Sequence, residues 1–178
     1  MILAIMVIMK IKLLLAFLAF TGVSNSLKAQ AFFDDSRLNA YTATGAWTPR
    51  YLKPAPVDSR IDPSLIRASK LAEQHAAPRS ILRCWHYVKA ALVDAGAVRS
   101  CPTTAYAFQA ADELVARHGF VKLRGNDPYS APVGSVLVYS GHGAGHVELR
   151  TAHGFASDYR SIWACRFHLI GIYAKLVS

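Results

Sequence analysis

One cysteine and one histidine occupy sequence positions that suit a nucleophile and its general base. Cys84 falls in the first turn or so of an expected helix, where the partial positive charge favours a thiolate and neighbouring N–H groups can hold an oxyanion. His146 follows the glycine-rich turn 141–145 and opens an expected strand. Because histidine is the usual base for a cysteine nucleophile, the pair predicts a cysteine hydrolase. The alternative is that Cys84 is a small buried hydrophobe.

The base needs an acceptor that orients it, and two carboxylates compete for this role. Asp158 lies in the next expected strand, and antiparallel pairing across a tight turn would bring it close to His146. Glu148 shares the face of His146 by strand alternation. The pattern favours Asp158 as the catalytic third residue and keeps Glu148 as the competitor. We also expect His142, Glu148 and Trp85 to be binding residues of the cleft.

The two histidines around the same turn also raise a metal hypothesis. His142 and His146 flank three small residues, and zinc would need a third ligand such as Cys84 or Asp158. No other spacing of metal-ligand residues occurs in the sequence. We therefore expect neither a metal ion nor another cofactor, and His142 is better explained as a loop residue near the cleft.

Helical periods in the middle of the chain predict three helices, and β-rich segments follow them. The helices are expected from Asp62 to about Gln74, from Ser80 to about Ala95, and from about Pro102 to Gly119. Four short β-rich segments follow at 134–140, 146–151, 154–159 and 168–175. Helices followed by a meander of strands indicate an α+β domain with helices packed on an antiparallel sheet of about four or more strands.

The N-terminal region has the order of a secretory signal peptide. Lys10 and Lys12 precede an apolar run at 13–23, and Ala29-Gln30-Ala31 is an A-x-A signal. We expect 1–31 to be a signal peptide, 32–61 an extended arm or linker, and 62–178 the catalytic domain. An uncleaved anchor of 1–23 is the alternative, but it would bury both lysines in the bilayer at about 2.5–3.5 kcal/mol each.

The charge of the chain points to partners outside the cytosol. The sequence has a net charge of +9, and removal of 1–31 leaves 17 basic and 11 acidic residues, a net +6. A basic exported protein is attracted to lipid headgroups and to anionic cell wall. No run of Lys and Arg is interleaved with aromatic residues, so we expect no nucleic-acid partner and, after cleavage, no membrane span.

The chain has three cysteines, so if two of them form a disulfide after export, the third remains a free thiol or pairs with another chain. If Cys84 must stay free, only Cys101 and Cys165 remain to pair, so we expect a disulfide between them. The alternative is that both are small buried residues too far apart to bridge.

The residues around the candidate nucleophile and base resemble a known group of enzymes. Cys84–Leu92 (CWHYVKAAL), followed by Ala95-Gly96, is similar to the nucleophile helix of CHAP-type and NlpC-like amidases. The segments at 132–139 and 145–148 resemble the strand before their histidine and their glycine-histidine strand. Ser157-Asp158-Tyr159 resembles an element of amidase toxins of bacterial secretion systems.

This resemblance implies a papain-like cysteine hydrolase of peptidoglycan. Cys84 would be the nucleophile, His146 the base and Asp158 the orienting residue. The expected protein is secreted or periplasmic, monomeric, and cuts an amide bond of the stem peptide as an amidase or endopeptidase. Two alternatives stay open, namely a non-enzymatic wall- or partner-binding module on the same fold and a secreted antibacterial amidase toxin.

Overall fold

Within the described residues, an antiparallel sheet of six strands carries three helices on one face. The computed structural model describes residues 54–177, so the predicted signal peptide and most of the predicted arm lie outside the described residues. The sheet has the order β1-β6-β2-β3-β4-β5, and every neighbouring pair is antiparallel. The strands are β1 (Val121–Lys122), β2 (Val136–Ser140), β3 (His146–Arg150), β4 (Phe155–Ala156), β5 (Arg160–Ser161) and β6 (His168–Ala174). The helices are α1 (Pro63–His75), α2 (Cys84–Asp94) and α3 (Ala110–His118), with single 3-10 turns at Ala107–Gln109 and Pro128–Ser130.

The core lies between the helices and one face of the sheet, as the α+β prediction requires. Leu65, Val88 and Leu114, one from each helix, are fully buried against Val138 and Leu149 of β2 and β3. Side chains alternate along a strand, so the immediate neighbours of Val138 in β2 and of Leu149 in β3 point to the other face of the sheet. A second, smaller apolar cluster covers that face. The predicted fold class is confirmed.

Helix α1 begins as predicted, but α2 begins four residues later than Ser80. The Asp62 carboxylate caps α1 by accepting the N–H of Ser64 at 2.8 Å. Before α2, Leu82 has φ +61°, a left-handed conformation that no α-helix continues through. Cys84 is therefore the first residue of α2.

Helix α3 also starts later than the sequence predicts, because a buried carboxylate holds the preceding loop. Glu113 accepts the backbone N–H and the hydroxyl of both Thr103 and Thr104, at 2.6–3.0 Å. Burial alone would raise the pKa of Glu113, but these hydrogen bonds outweigh it and lower the pKa to about 2. The loop keeps these donors for Glu113 instead of adding a helical turn.

The strands around the last hairpins differ from the prediction in length. Of the segment expected at 154–159, Phe155 and Ala156 pair with β3, and the chain then turns into β5. Strands β1 and β5, two residues each, were not predicted because such short strands show no period. Of the predicted arm, Pro56 accepts the N–H of Val133 at 2.9 Å. Within residues 54–177 no helix is long and apolar enough to cross a membrane.

Candidate active site

The start of α2 and the start of β3 meet at one end of the sheet. The half-buried Cys84 packs against the helix–sheet core, and its thiol lies close enough to the imidazole of His146 to raise the pKa of that ring. Val147, the next residue of β3, is fully buried on the helix side. Alternation therefore directs His146 to the other face, where its position at the end of the strand lets the ring reach the thiol.

The turn before His146 is shaped by glycine. Gly145 has φ +72°, and a Cβ atom there would collide with the backbone oxygen of Tyr139. Only glycine combines this conformation with this close approach. The carbonyl of Ala144 also accepts the N–H of Phe108 at 3.1 Å, which ties the turn to the helical half of the domain.

The carboxylate that contacts the imidazole belongs to Glu148. Its Oε2 lies 3.3 Å from His146 Nε2, and its Oε1 accepts the Tyr139 hydroxyl at 2.7 Å and the Cys165 N–H at 3.3 Å. Glu148 is only 3% exposed. Because Nε2 faces Glu148, the other ring nitrogen, Nδ1, is left for the Cys84 thiol.

These contacts hold His146 in its charged form. Burial lowers the pKa of His146, but the hydrogen bonds to Cys84 and Glu148 and the negative charge of Glu148 outweigh it and raise the pKa to about 10. The arrangement is that of an imidazolium next to a thiol, with a carboxylate behind it. Such a group can stabilise a thiolate and later give a proton to a leaving amine.

We expect the His146 ring to keep its proton well above pH 8. The folded-state pKa lies above the ordinary value of 6.5, so this group stabilises the fold fully below about pH 6.5, and its contribution is lost as the pH rises toward 10. An NMR titration of the ring carbons measures the midpoint. Cys84→Ala and Glu148→Gln should each lower it, and a wild-type midpoint near 6.5 would contradict the described geometry.

Two buried residues that the sequence did not single out complete the surroundings of Glu148. Burial raises the pKa of Tyr139, and the charge of Glu148 raises it further, so its hydroxyl stays a donor. Arg150 is also buried, donates to the Gly154 carbonyl at 2.6 Å, and lies over the ring of Phe155. Strand alternation places Arg150 on the face of His146 and Glu148, and the i, i+2, i+4 spacing was a signal for it.

The prediction of Asp158 as the residue next to the imidazole is corrected by the structure. Strand β4 ends after Ala156, so the strand pairing that would have brought Asp158 to His146 does not extend that far. The Asp158 carboxylate instead binds the segment before α2. Its backbone carbonyl accepts the N–H of Ala77 at 2.8 Å.

The other predicted binding residues lie in different surroundings. Trp85 is 4% exposed, and its indole N–H donates to Thr104 at 3.1 Å, so it belongs to the core and not to an open cleft. His142 is an exposed loop residue in the turn before β3. Within the part of the chain that the structure describes, no three His, Cys, Asp or Glu side chains are grouped to hold a metal ion.

The predicted disulfide between Cys101 and Cys165 is not formed. Both are free thiols, as is Cys84. Cys165 packs with the apolar cluster on the sheet face away from the helices. Cys101 is exposed in the loop that Glu113 holds on the helix side. The two thiols lie in different surroundings, which the sequence alone could not show.

Comparison with known proteins finds similarity among solved structures. One solved chain of the type VI native effector–immunity complex Tae3–Tai3 from Ralstonia pickettii superposes with a TM-score of 0.52 at 24% identity, and the match covers 62% of this chain and 98% of that chain. A chain of the selenomethionine form of the complex has 26% identity and a TM-score of 0.44, covering 53% of this chain and 80% of that one. No protein-family model and no curated protein sequence matches the chain. The first similarity shows a shared, papain-like α+β fold.

Proposed function

We propose that this protein is an exported cysteine hydrolase that cleaves an amide bond of peptidoglycan stem peptides. The observation that carries the proposal is the contact series Cys84–His146–Glu148 at the end of a papain-like sheet. A buried imidazole with a raised pKa between a thiol and a carboxylate is an arrangement expected at a site of nucleophilic catalysis. The substrate class rests on the resemblance of the Cys84 and His146 segments to CHAP-type and NlpC-like amidases.

In the first half of the reaction, the Cys84 thiolate attacks the carbonyl carbon of the amide. A C–S bond forms, and the carbonyl oxygen takes the electron pair as an oxyanion. First-turn N–H groups, which a helix leaves without an acceptor of its own, would stabilise that charge. The His146 imidazolium then donates its proton to the amide nitrogen as the C–N bond breaks, and the amine leaves.

In the second half, water releases the acyl group from the enzyme. Neutral His146 takes a proton from the water as its oxygen attacks the thioester carbon. The C–S bond breaks, the acid product leaves, and the thiolate–imidazolium pair is restored. Glu148 holds the ring orientation throughout through its contact with Nε2.

Mass spectrometry of muropeptides tests whether the protein hydrolyses peptidoglycan, and it also identifies the bond that is cut. Purified sacculi are incubated with the mature protein, and the released fragments are compared with those from buffer alone. Cleavage between muramic acid and alanine would identify an amidase, and cleavage further along the stem an endopeptidase. Unchanged sacculi together with tight binding to them would favour the binding-module alternative.

A use against other cells is a second candidate, and the fold similarity favours it. The similar structure is a type VI effector crystallised with its immunity protein. By analogy, this hydrolase would be an antibacterial toxin, and the producing cell would carry a protein that inhibits it. Export of the mature chain to the periplasm of a host lacking that protein should then cause lysis, and the Cys84→Ala form should not.

We expect export to produce a mature N-terminus at Phe32. The basic pair, the apolar run and Ala29-Gln30-Ala31 motivate this site, with Gln30 as the second choice. N-terminal sequencing of the exported protein checks it. An intact Met1 or Met9 on the exported chain would show that no signal peptide is removed.

A further inference from the structure

A buried carboxylate outside the Cys–His–Glu series holds the chain directly before the nucleophile. Asp158 has no exposed surface. Its Oδ2 accepts the N–H of Ile81 at 2.8 Å, the N–H of Arg83 at 3.1 Å and the hydroxyl of Ser80 at 3.1 Å, and its Oδ1 accepts the Ser157 hydroxyl at 3.1 Å. Three of these four donors belong to the four residues that precede α2.

The segment that Asp158 holds has an unfavourable backbone conformation. Leu82 has φ +61°, which is disfavoured for a bulky non-glycine residue, and the residue is 93% exposed. Packing of the leucine in the core therefore does not offset the strain. The Asp158 hydrogen bonds to Ile81 and Arg83, on either side of Leu82, hold the turn in place.

The same carboxylate stands in for a helix cap. Arg83 occupies the N-cap position of α2 and makes no side-chain capping hydrogen bond, whereas Asp62 caps α1 in the ordinary way. A negative charge at this end also interacts favourably with the helix dipole. Burial would raise the pKa of Asp158, but the hydrogen bonds from Arg83 and Ile81 outweigh it and lower the pKa, so the group is an anion.

We infer that Asp158 is a positioning residue, which fixes the turn at 80–83 so that α2 begins at Cys84 and directs the thiol to His146. This inference rests on the proposed role of Cys84. Asp158 acts through the backbone: among the described residues, no hydrogen bond joins its carboxylate to His146 or to Cys84. The role differs from that of Glu148, which contacts the imidazole itself.

Two readouts test the inference, hydrolysis of soluble muropeptides and the rate at which iodoacetamide alkylates Cys84 at pH 7. Mass spectrometry of the Cys84 peptide gives that rate, and the exposed Cys101 is an internal reference. Asp158→Ala should lower kcat and the Cys84 rate by about 10- to 100-fold, with KM within about twofold, because small misplacements of a reacting group cost this much. Asp158→Asn keeps one acceptor oxygen for the donors of 80–83 but loses the charge, so it should recover most of the loss and stay about threefold below wild type. The matched control, Asp62→Ala, removes the cap of the neighbouring helix and should leave both readouts unchanged.

The direction in which the Cys84 alkylation rate changes in Asp158→Ala distinguishes a positioning role from partial unfolding. Partial unfolding would expose half-buried Cys84 and raise its rate relative to Cys101, whereas loss of its contact with His146 lowers it. Wild-type rates in Asp158→Ala, or an Asn variant no better than Ala, would overturn the inference. If Asp158→Ala does not fold, wild-type rates in Asp158→Asn would do so. Alkylation needs no substrate, so a wild-type protein that fails to hydrolyse muropeptides would refute the proposed function and leave this test standing.

Discussion

Cys84→Ala is expected to abolish hydrolysis of sacculi, with a loss on the order of 10⁴-fold or more. Alanine removes the sulfur atom that would form the acyl-enzyme in the proposed mechanism. Because the side chain is small and half-buried at the start of α2, the fold should persist. His146→Ala should have a comparable effect, because it removes the ring that stabilises the thiolate and that protonates the leaving amine.

The comparison is release of muropeptides by equal amounts of folded wild-type and variant protein. Cys101→Ala is the matched control, because it makes the same chemical change at an exposed cysteine outside the site and should retain full activity. Circular dichroism spectra establish that each variant is folded. Sacculus lysis by folded Cys84→Ala would refute the cysteine mechanism.

Glu148→Gln is expected to lower kcat by about a hundredfold or more, in line with carboxylate-to-amide changes behind a catalytic histidine. Glutamine has nearly the same shape and can still accept the Tyr139 hydroxyl. It then turns its amide N–H groups toward His146 Nε2 and removes the negative charge that favours the imidazolium. The buried Arg150 on the same strand also loses a nearby counter-charge.

Glu113→Gln is the matched control for this variant. Glu113 is likewise a buried carboxylate whose two oxygens accept hydrogen bonds, but its partners are Thr103 and Thr104 and not His146. Its replacement should lower the thermal midpoint and leave kcat per folded molecule unchanged. We expect Glu148→Gln to lose more activity than Asp158→Asn. The opposite ranking would return the orienting role to Asp158.

The parts of this protein that the sequence predicts well are those that depend on neighbours within one element. Apolar residues at three- and four-residue steps predict α2 and its buried side, and Asp62-Pro63 predicts the start of α1. Strand alternation places His146 and Glu148 on one face whatever the rest of the chain does. The candidate nucleophile and base are both found this way, because each is identified by its position in its own element.

Only the tertiary structure decides which partners those residues meet. Asp158 looked close to His146 on the assumption that β4 continues, but β4 ends after Ala156, and the backbone carbonyl of Asp158 accepts the N–H of Ala77, far away in the sequence. The Asp158 carboxylate also accepts the N–H groups of Ile81 and Arg83. These hydrogen bonds hold the turn before α2, so the helix begins at Cys84 and not at Ser80. The free state of Cys101 and Cys165, which lie in different surroundings, likewise appears only in the tertiary structure. The hydrophobic periodicity of a segment indicates which face of a helix or strand is buried. Hydrogen bonds between distant segments determine where that helix or strand ends. At this site the end of β4 determines which carboxylate contacts His146.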